Sequence, residues 1–262
     1  MPELEPAEWG LARLWNSSVP QLWRETVVEG LGAFKDSKPV KLMLASFAAS
    51  YKKTESFKEK GFYSQPITKS QQGFAEVQAF LSANVFAADS CINDINVEGE
   101  AASMLKGVLA ARWLWSSDPK KRFEVPARNG FASLRMQLSG TAKLFIIIPS
   151  KLGVFFGEGV DNVIEFMTKI SADDLESVVK AGAIYKATVP AWNVLYIPTG
   201  AITLEDQSDG VLCYSLRVPI LPITEDALAS YSHFTKLSEH NMKPGVPKMQ
   251  EVCKLLATAL GK

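Results

Sequence analysis

The chain has 262 residues, with 28 Lys and Arg against 28 Asp and Glu, two His, three Cys and 47% apolar side chains, so its formal net charge is zero. That balance excludes a disordered chain, which needs low hydrophobicity and high net charge, and it removes the electrostatic footprint expected of a nucleic-acid or anionic-surface binder. The longest apolar runs, such as Leu144–Pro149, fall far short of the ~20 residues of a membrane span, and no basic-then-apolar leader opens the chain.

In chain order, the first elements read as helices. Ser17 or Ser18 followed by Pro20 is a helix start, and Leu22, Trp23, Val27, Val28, Leu31 and Phe34 recur at helical spacing. Ser37-Lys38-Pro39 repeats the start signal ahead of Val40, Leu44 and Phe47. The polar stretch 52–69, with Gly61 and Pro66, reads as a loop. Helical spacing returns over 70–86 and again over Glu98–Trp115, where Ala102, Leu105, Val108, Leu109, Arg112 and Trp113 share one side. Ser116-Ser117-Asp118-Pro119 then stops the helix and marks a domain boundary.

Beyond Pro119 the period changes from helical to two. Ser133, Arg135 and Gln137 alternate with Ala132, Leu134, Met136 and Leu138, and LFIIIP (144–149) is a buried strand run. A short helix is expected at 163–168, and another from Ser171 to Gly182. Strands are expected at 183–189, 193–197, 201–205 and 211–218, separated by turn residues at Pro190, Pro198-Thr199-Gly200 and Ser208-Asp209-Gly210. Short strands at such spacing suggest a sandwich or barrel. Thr224 caps a further helix and Pro247 opens the last one. The expected fold class is α+β: a helical N-terminal region (1–118), a central β-barrel (119–222) and a C-terminal helical segment (223–262).

Two stretches of the central part carry a resemblance. Gln137-Leu138-Ser139-Gly140-Thr141-Ala142-Lys143 runs into LFIIIP, and Trp192-Asn193-Val194-Leu195-Tyr196-Ile197-Pro198-Thr199-Gly200-Ala201-Ile202-Thr203 follows about fifty residues later. Together they resemble the cupin-like Jumonji-C and asparaginyl-hydroxylase group, whose Gln-x-x-Gly-x-Lys strand and Gly-Asp-x-Leu-Tyr-Ile-Pro-x-Gly-Trp-x-His turn belong to a double-stranded β-helix. The resemblance covers residues 124–219. It implies a cupin-like barrel at the centre of the chain and, in active members, Fe(II) with 2-oxoglutarate as cosubstrate.

The departures from that pattern fall on the chemistry. Active members hold iron with a His-x-Asp/Glu pair and a distal His, a facial triad that leaves positions open for cosubstrate and oxygen. By the resemblance, the first pair falls at Ala127 and Asn129 and the distal ligand at Thr203, and no His occurs before His233. Lys143 stands near the group's 2-oxoglutarate lysine, one residue late, so it reads either as an anion-binding lysine or as a solvated strand-end lysine. Trp192 replaces a glycine before the turn. Gln137, Trp192 and Tyr196 are candidates for the barrel mouth.

Other chemistries are weaker. His233 and His240 are seven apart with only Glu239 near them, short of a metal-ligand set. Cys213 lies inside a strand run with no base beside it in sequence, and reads as a core thiol. Gly157-Glu158-Gly159 lacks the remainder of a phosphate loop, and Asp173-Asp174 sits where acids favour a helix start. Pro119-Lys120-Lys121-Arg122 is a short basic linker.

The odd set Cys91, Cys213 and Cys253, without CxxC spacing, suits free thiols in a reducing compartment. The acidic start (Glu3, Glu5, Glu8) argues against a transit peptide. The expected setting is intracellular, cytoplasmic or organelle-stromal, and not secreted.

The leading expectation is a non-catalytic binding or scaffolding protein without cofactor or metal, acting through a protein partner or self-association rather than nucleic acid or a membrane span. Two alternatives stand. One is an enzyme of the same superfamily: an oxygenase using Fe(II) and 2-oxoglutarate with an unconventional site, drawing on Asn129, Glu205 or Asp206, or a metal-independent cupin isomerase or lyase. The other is a structural jelly-roll subunit of a larger assembly.

Overall fold

In a computed structural model of the chain, the described residues are 3–6, 19–25, 28, 30–84, 113–117, 123–126, 131–148, 151, 170–206, 213–220, 225–240, 253–254 and 257–258. Among these residues ten strands form two antiparallel sheets. In chain order they are β1 Gln21–Trp23, β2 Phe62–Pro66, β3 Trp113–Ser117, β4 Phe123–Pro126, β5 Ala132–Ser139, β6 Ala142–Ile147, β7 Ile184–Val189, β8 Val194–Ile197, β9 Ile202–Asp206 and β10 Cys213–Ile220. One sheet runs β1-β8-β5-β10-β3-β2, the other β4-β9-β6-β7. Helices α1 Leu31–Asp36, α2 Lys38–Ser50, α3 Glu55–Lys60 and α4 Phe74–Asn84 lie in the N-terminal part. Helix α5 Ala172–Lys180 falls between β6 and β7, and α6 Glu225–His240 follows β10. No helix among the described residues is long and apolar enough to cross a membrane.

The period-two stretch forms as the sequence dictates. Ala132, Leu134, Met136 and Leu138 on one face of β5 pack into a core with Leu31 and Phe34 of α1, Val40, Met43, Leu44 and Phe47 of α2, and Val77, Phe80 and Leu81 of α4. Burying such side chains contributes ~1.5–3 kcal/mol each, and this helical layer covers the outer face of the six-stranded sheet. A second core lies between the sheets: Leu22, Ala142, Leu144, Ile146, Ala187, Val189, Leu195 and Ile197. A third, formed by Val178 of α5 with Ile147 and Ile184, covers the outer face of the four-stranded sheet. Helix α5 begins where expected, with Ser171 Oγ accepting from Asp174 N at 3.1 Å.

Three expectations are corrected. The helix expected across 22–34 is strand β1 followed by α1, because Gln21–Trp23 completes the sheet beside β8. The loop expected over 52–69 contains a 3-10 turn, α3 and β2; Thr54 caps α3 and Gly61 closes it at φ 75°, a conformation open to glycine. The end of the helix expected at 98–115 is strand β3, held between β2 and β10. Its first residues, and the short helix at 163–168, lie outside the described residues. The region expected to be helical thus supplies three strands to the sheet that β5, β8 and β10 complete. The expected strands after residue 130 form within one or two residues of their predicted bounds.

Four residues near the N-terminus stitch the two sheets. Glu3 bridges Lys186 of β7 and Pro6 bridges Leu22 of β1, both in parallel. Leu4 N donates to Lys186 O at 2.8 Å, and Thr188 Oγ1 donates to Glu3 Oε1 at 2.6 Å.

Candidate functional site

The inner face of β5 is polar and yet buried. Arg135 and Gln137 are 1% and 0% exposed, and they look across the inter-sheet space to Glu205 of β9, 1% exposed. Register explains the meeting: β10 lies beside β5 with Arg217 opposite Arg135 and Ser215 opposite Gln137, so both arginines project from the same face of one sheet. Glu205 Oε1 accepts from Arg135 Nη1 and from Arg217 Nη2. Arg135 spends its other donors on Gln137 Oε1, at 3.2 Å from Nε and 3.1 Å from Nη2, while Gln137 Nε2 donates to Ser139 O at 2.7 Å. The Arg217 guanidinium lies over the Trp115 ring at 4.3 Å, and Trp115 stacks on Phe62 at 5.1 Å and 4°. Arg217 Nε also donates to Ser215 Oγ at 3.4 Å.

This ladder ties the sheets together through charge rather than apolar contact. Ions removed from water cost several kcal/mol each unless mutually paired and hydrogen-bonded, and every polar group of Arg135 and Gln137 described above meets that demand.

The positions that the resemblance assigned fall as follows. Thr203 is 3% exposed on β9, two residues before Glu205 and on the same inner face. Ala127 and Asn129 lie outside the described residues. Lys143 alternates with Ala142 and Leu144, which face the inter-sheet core, and shares the opposite face of β6 with Phe145 and Ile147. Lys143 thereby lies on the face of β6 turned away from the inter-sheet space. Tyr196 is 1% exposed but belongs to the core beneath the helices, so it is not a mouth residue; burial pushes its hydroxyl pKa up. Tyr231 of α6 is likewise buried and raised, chiefly by desolvation with a contribution from Tyr196.

Trp192 occupies the β7–β8 turn at φ 67°, in the left-handed region that favours glycine. Its ring packs against the core beneath the helices, with Lys35 Nζ 5.5 Å from the ring centre. Gln137 and Trp192 are brought together through the backbone, Trp192 N donating to Gln137 O.

His233 and His240 fall within α6, and their side chains lie outside the described residues. Cys213 is buried with Sγ donating to Thr141 O at 3.3 Å, as a core thiol does. Asp206 closes β9 in register with Lys143.

At Thr203 a hydroxyl stands where the resemblance calls for an imidazole, and the adjacent inner carboxylate, Glu205, is engaged by two guanidinium groups. Among the described residues, no group of three or more His, Cys, Asp and Glu is gathered at ligand distance. The two arginines were not singled out by sequence reasoning. Their signal was an arginine at an alternating position inside each of two strands.

Comparison of the sequence with protein-family models and with curated proteins finds no match.

Proposed function

We propose that the protein is a non-catalytic binding or scaffolding protein built on a cupin-like, Jumonji-C-like double-stranded β-helix whose iron ligands are replaced. Strand order supports the barrel reading. From β3 to β10, the strands alternate between two four-stranded antiparallel sets, β3-β10-β5-β8 and β4-β9-β6-β7, with β6 and β7 adjacent in the second. Strands β1 and β2 extend the first set at its two edges.

The observation that carries the non-catalytic reading is the Arg135–Glu205–Arg217 cluster beside Thr203. A carboxylate bound by two guanidiniums is a poor metal ligand, because coordination would have to displace charge-assisted hydrogen bonds and leave one buried and one partly buried cation behind. The inner space is used to hold the sheets together, and the outer surfaces are left for recognition.

The test is elemental analysis of the full chain after anaerobic Fe(II) loading and desalting, with circular dichroism alongside. Folded protein retaining no stoichiometric iron is the expected result. One iron per chain would overturn the reading.

A further inference from the structure

Zero net charge over the whole chain hides a local excess. Residues 35–69 carry eight lysines against three acids, a net charge of +5, while residues 1–34 and 70–118 carry four basic residues against eleven acids. The basic segment contains α2, whose inner side (Val40, Met43, Leu44, Phe47) is buried against the sheet.

The outer side of α2 is organised as a face. Lys38, Lys41, Leu42, Ala45, Ser46 and Ala49 are all exposed, and at 100° per residue they fall within one side of the helix. Leu42, 44% exposed, is one of two exposed large apolar side chains among the described residues. Leu42, Ala45 and Ala49 form a low ridge with only methyl-sized side chains beyond Leu42, a surface that lets a second helix approach closely. Lys38 and Lys41 stand at one end, and Lys52 and Lys53 of the following 3-10 turn stand exposed at the other. From Lys41 to Lys52 is about 16 Å along the helix axis at ~1.5 Å per residue. Asp36 is tied to Lys41 at 3.0 Å, so one lysine at the first end is partly neutralised and the second end is the more positive.

We infer that this face docks an acidic amphipathic helix of a partner protein, with carboxylates near both ends about three turns apart and small or aliphatic side chains between them. The inference rests on the scaffolding reading and names the chemistry of its partner. Charge complementarity selects the partner: paired ends fix register and hasten encounter, and the Leu42–Ala45–Ala49 ridge supplies the apolar contact for helix-on-helix packing.

The test uses the full chain and a synthetic helical peptide of about 20 residues with glutamates in its first and last turns and alanine and leucine between. Controls are the same peptide with lysines for the glutamates, phosphatidylserine-containing vesicles, and a short single-stranded RNA. NMR titration is expected to move the amides of residues 38–53 with the acidic peptide, to lose affinity as salt rises, and to weaken about tenfold or more in K52E/K53E. A second variant, Ala45→Glu/Ala49→Glu, is expected to abolish binding without altering the circular dichroism spectrum. Equal binding of the lysine peptide, or no effect of either variant, would overturn the inference. Tighter binding of vesicles or RNA through the same lysines would overturn it too, as would a concentration-dependent dimer dispersed by K52E/K53E. A folded, iron-free chain that ignores the peptide sinks this face alone; iron uptake sinks the scaffolding reading instead.

Discussion

The two faces of β5 are buried to the same degree by opposite means. On the outer face Ala132, Leu134, Met136 and Leu138 meet the aliphatic and aromatic side chains of α1, α2 and α4. On the inner face Arg135 and Gln137 meet Glu205 and a neighbouring carbonyl. The outer contact is non-directional and graded, so it tolerates change in proportion to the volume altered. The inner contact is cooperative, because removing one partner strands the rest without water. Equal burial therefore implies unequal tolerance.

Glu205→Gln should produce the largest effect. It leaves the buried Arg135 and the partly buried Arg217 without their anion, and a loss of about 3–5 kcal/mol is expected from urea unfolding. Met136→Ala tests the outer face at a similar depth. A cavity of about 10 Å³ already adjoins Met136 with Val28, Phe80 and Leu81, so truncation enlarges an existing void and should cost about 2–3 kcal/mol. A smaller loss from Glu205→Gln than from Met136→Ala would collapse the distinction.

Alkaline titration probes the outer face by charge. The hydroxyls of Tyr196 and Tyr231 titrate higher in the folded protein than in the unfolded chain, owing to burial. Their contribution is complete below the unfolded tyrosine pKa of about 10 and is lost as pH rises beyond it. Stability should fall steeply above pH ~10, and Tyr231→Phe should flatten that fall.

The β7–β8 turn supplies a finer comparison, between backbone and side-chain demands at one position. Trp192→Gly relieves the left-handed conformation whereas Trp192→Ala keeps it, and both lose the same ring contacts. The alanine variant should be the less stable by about 1 kcal/mol in matched unfolding curves. The smallest change is expected from replacing the whole ladder. Arg135→Met, Gln137→Leu, Glu205→Leu and Arg217→Met together should leave thermal stability about where it was or raise it, because the desolvation cost disappears with the charges and no buried partner is left unpaired.

The two faces also differ in how far they could be read beforehand. The alternation of 131–139 displayed the outer face of β5, and the turn residues after Pro190 and Pro198 bracketed β8 and β9. The inner ladder was hidden because Arg135 and Glu205 are 70 residues apart, and only strand register brings them together. Glu205 was legible as an acid ending a strand and as a candidate for an unconventional iron site, not as the partner of two arginines. Trp113 and Trp115 were misread because the preceding apolar positions continue at helical spacing into them, while β3 is imposed by its neighbours β2 and β10. Strands of three to five residues such as β1 and β2 are too short for alternation to declare itself. Thr203 was located by resemblance alone; its depth in the inter-sheet space came from the pairing of β9 with β6.

The stitch made by residues 3–6 sets an order of events. Strand β1 needs β8, and Leu4 needs Lys186, so neither can settle until nearly two hundred residues of chain exist. During synthesis the opening segment must wait, unpaired, while the helices that pack beneath β5 are also waiting for their sheet. Contacts of such separation form slowly because loop closure precedes their reward. Until they form, the outer edges of β7 and β8 stand open to any passing strand. The growing chain is therefore most exposed to mispairing once β7 and β8 have been made, and the segment that ends the exposure was made long before them.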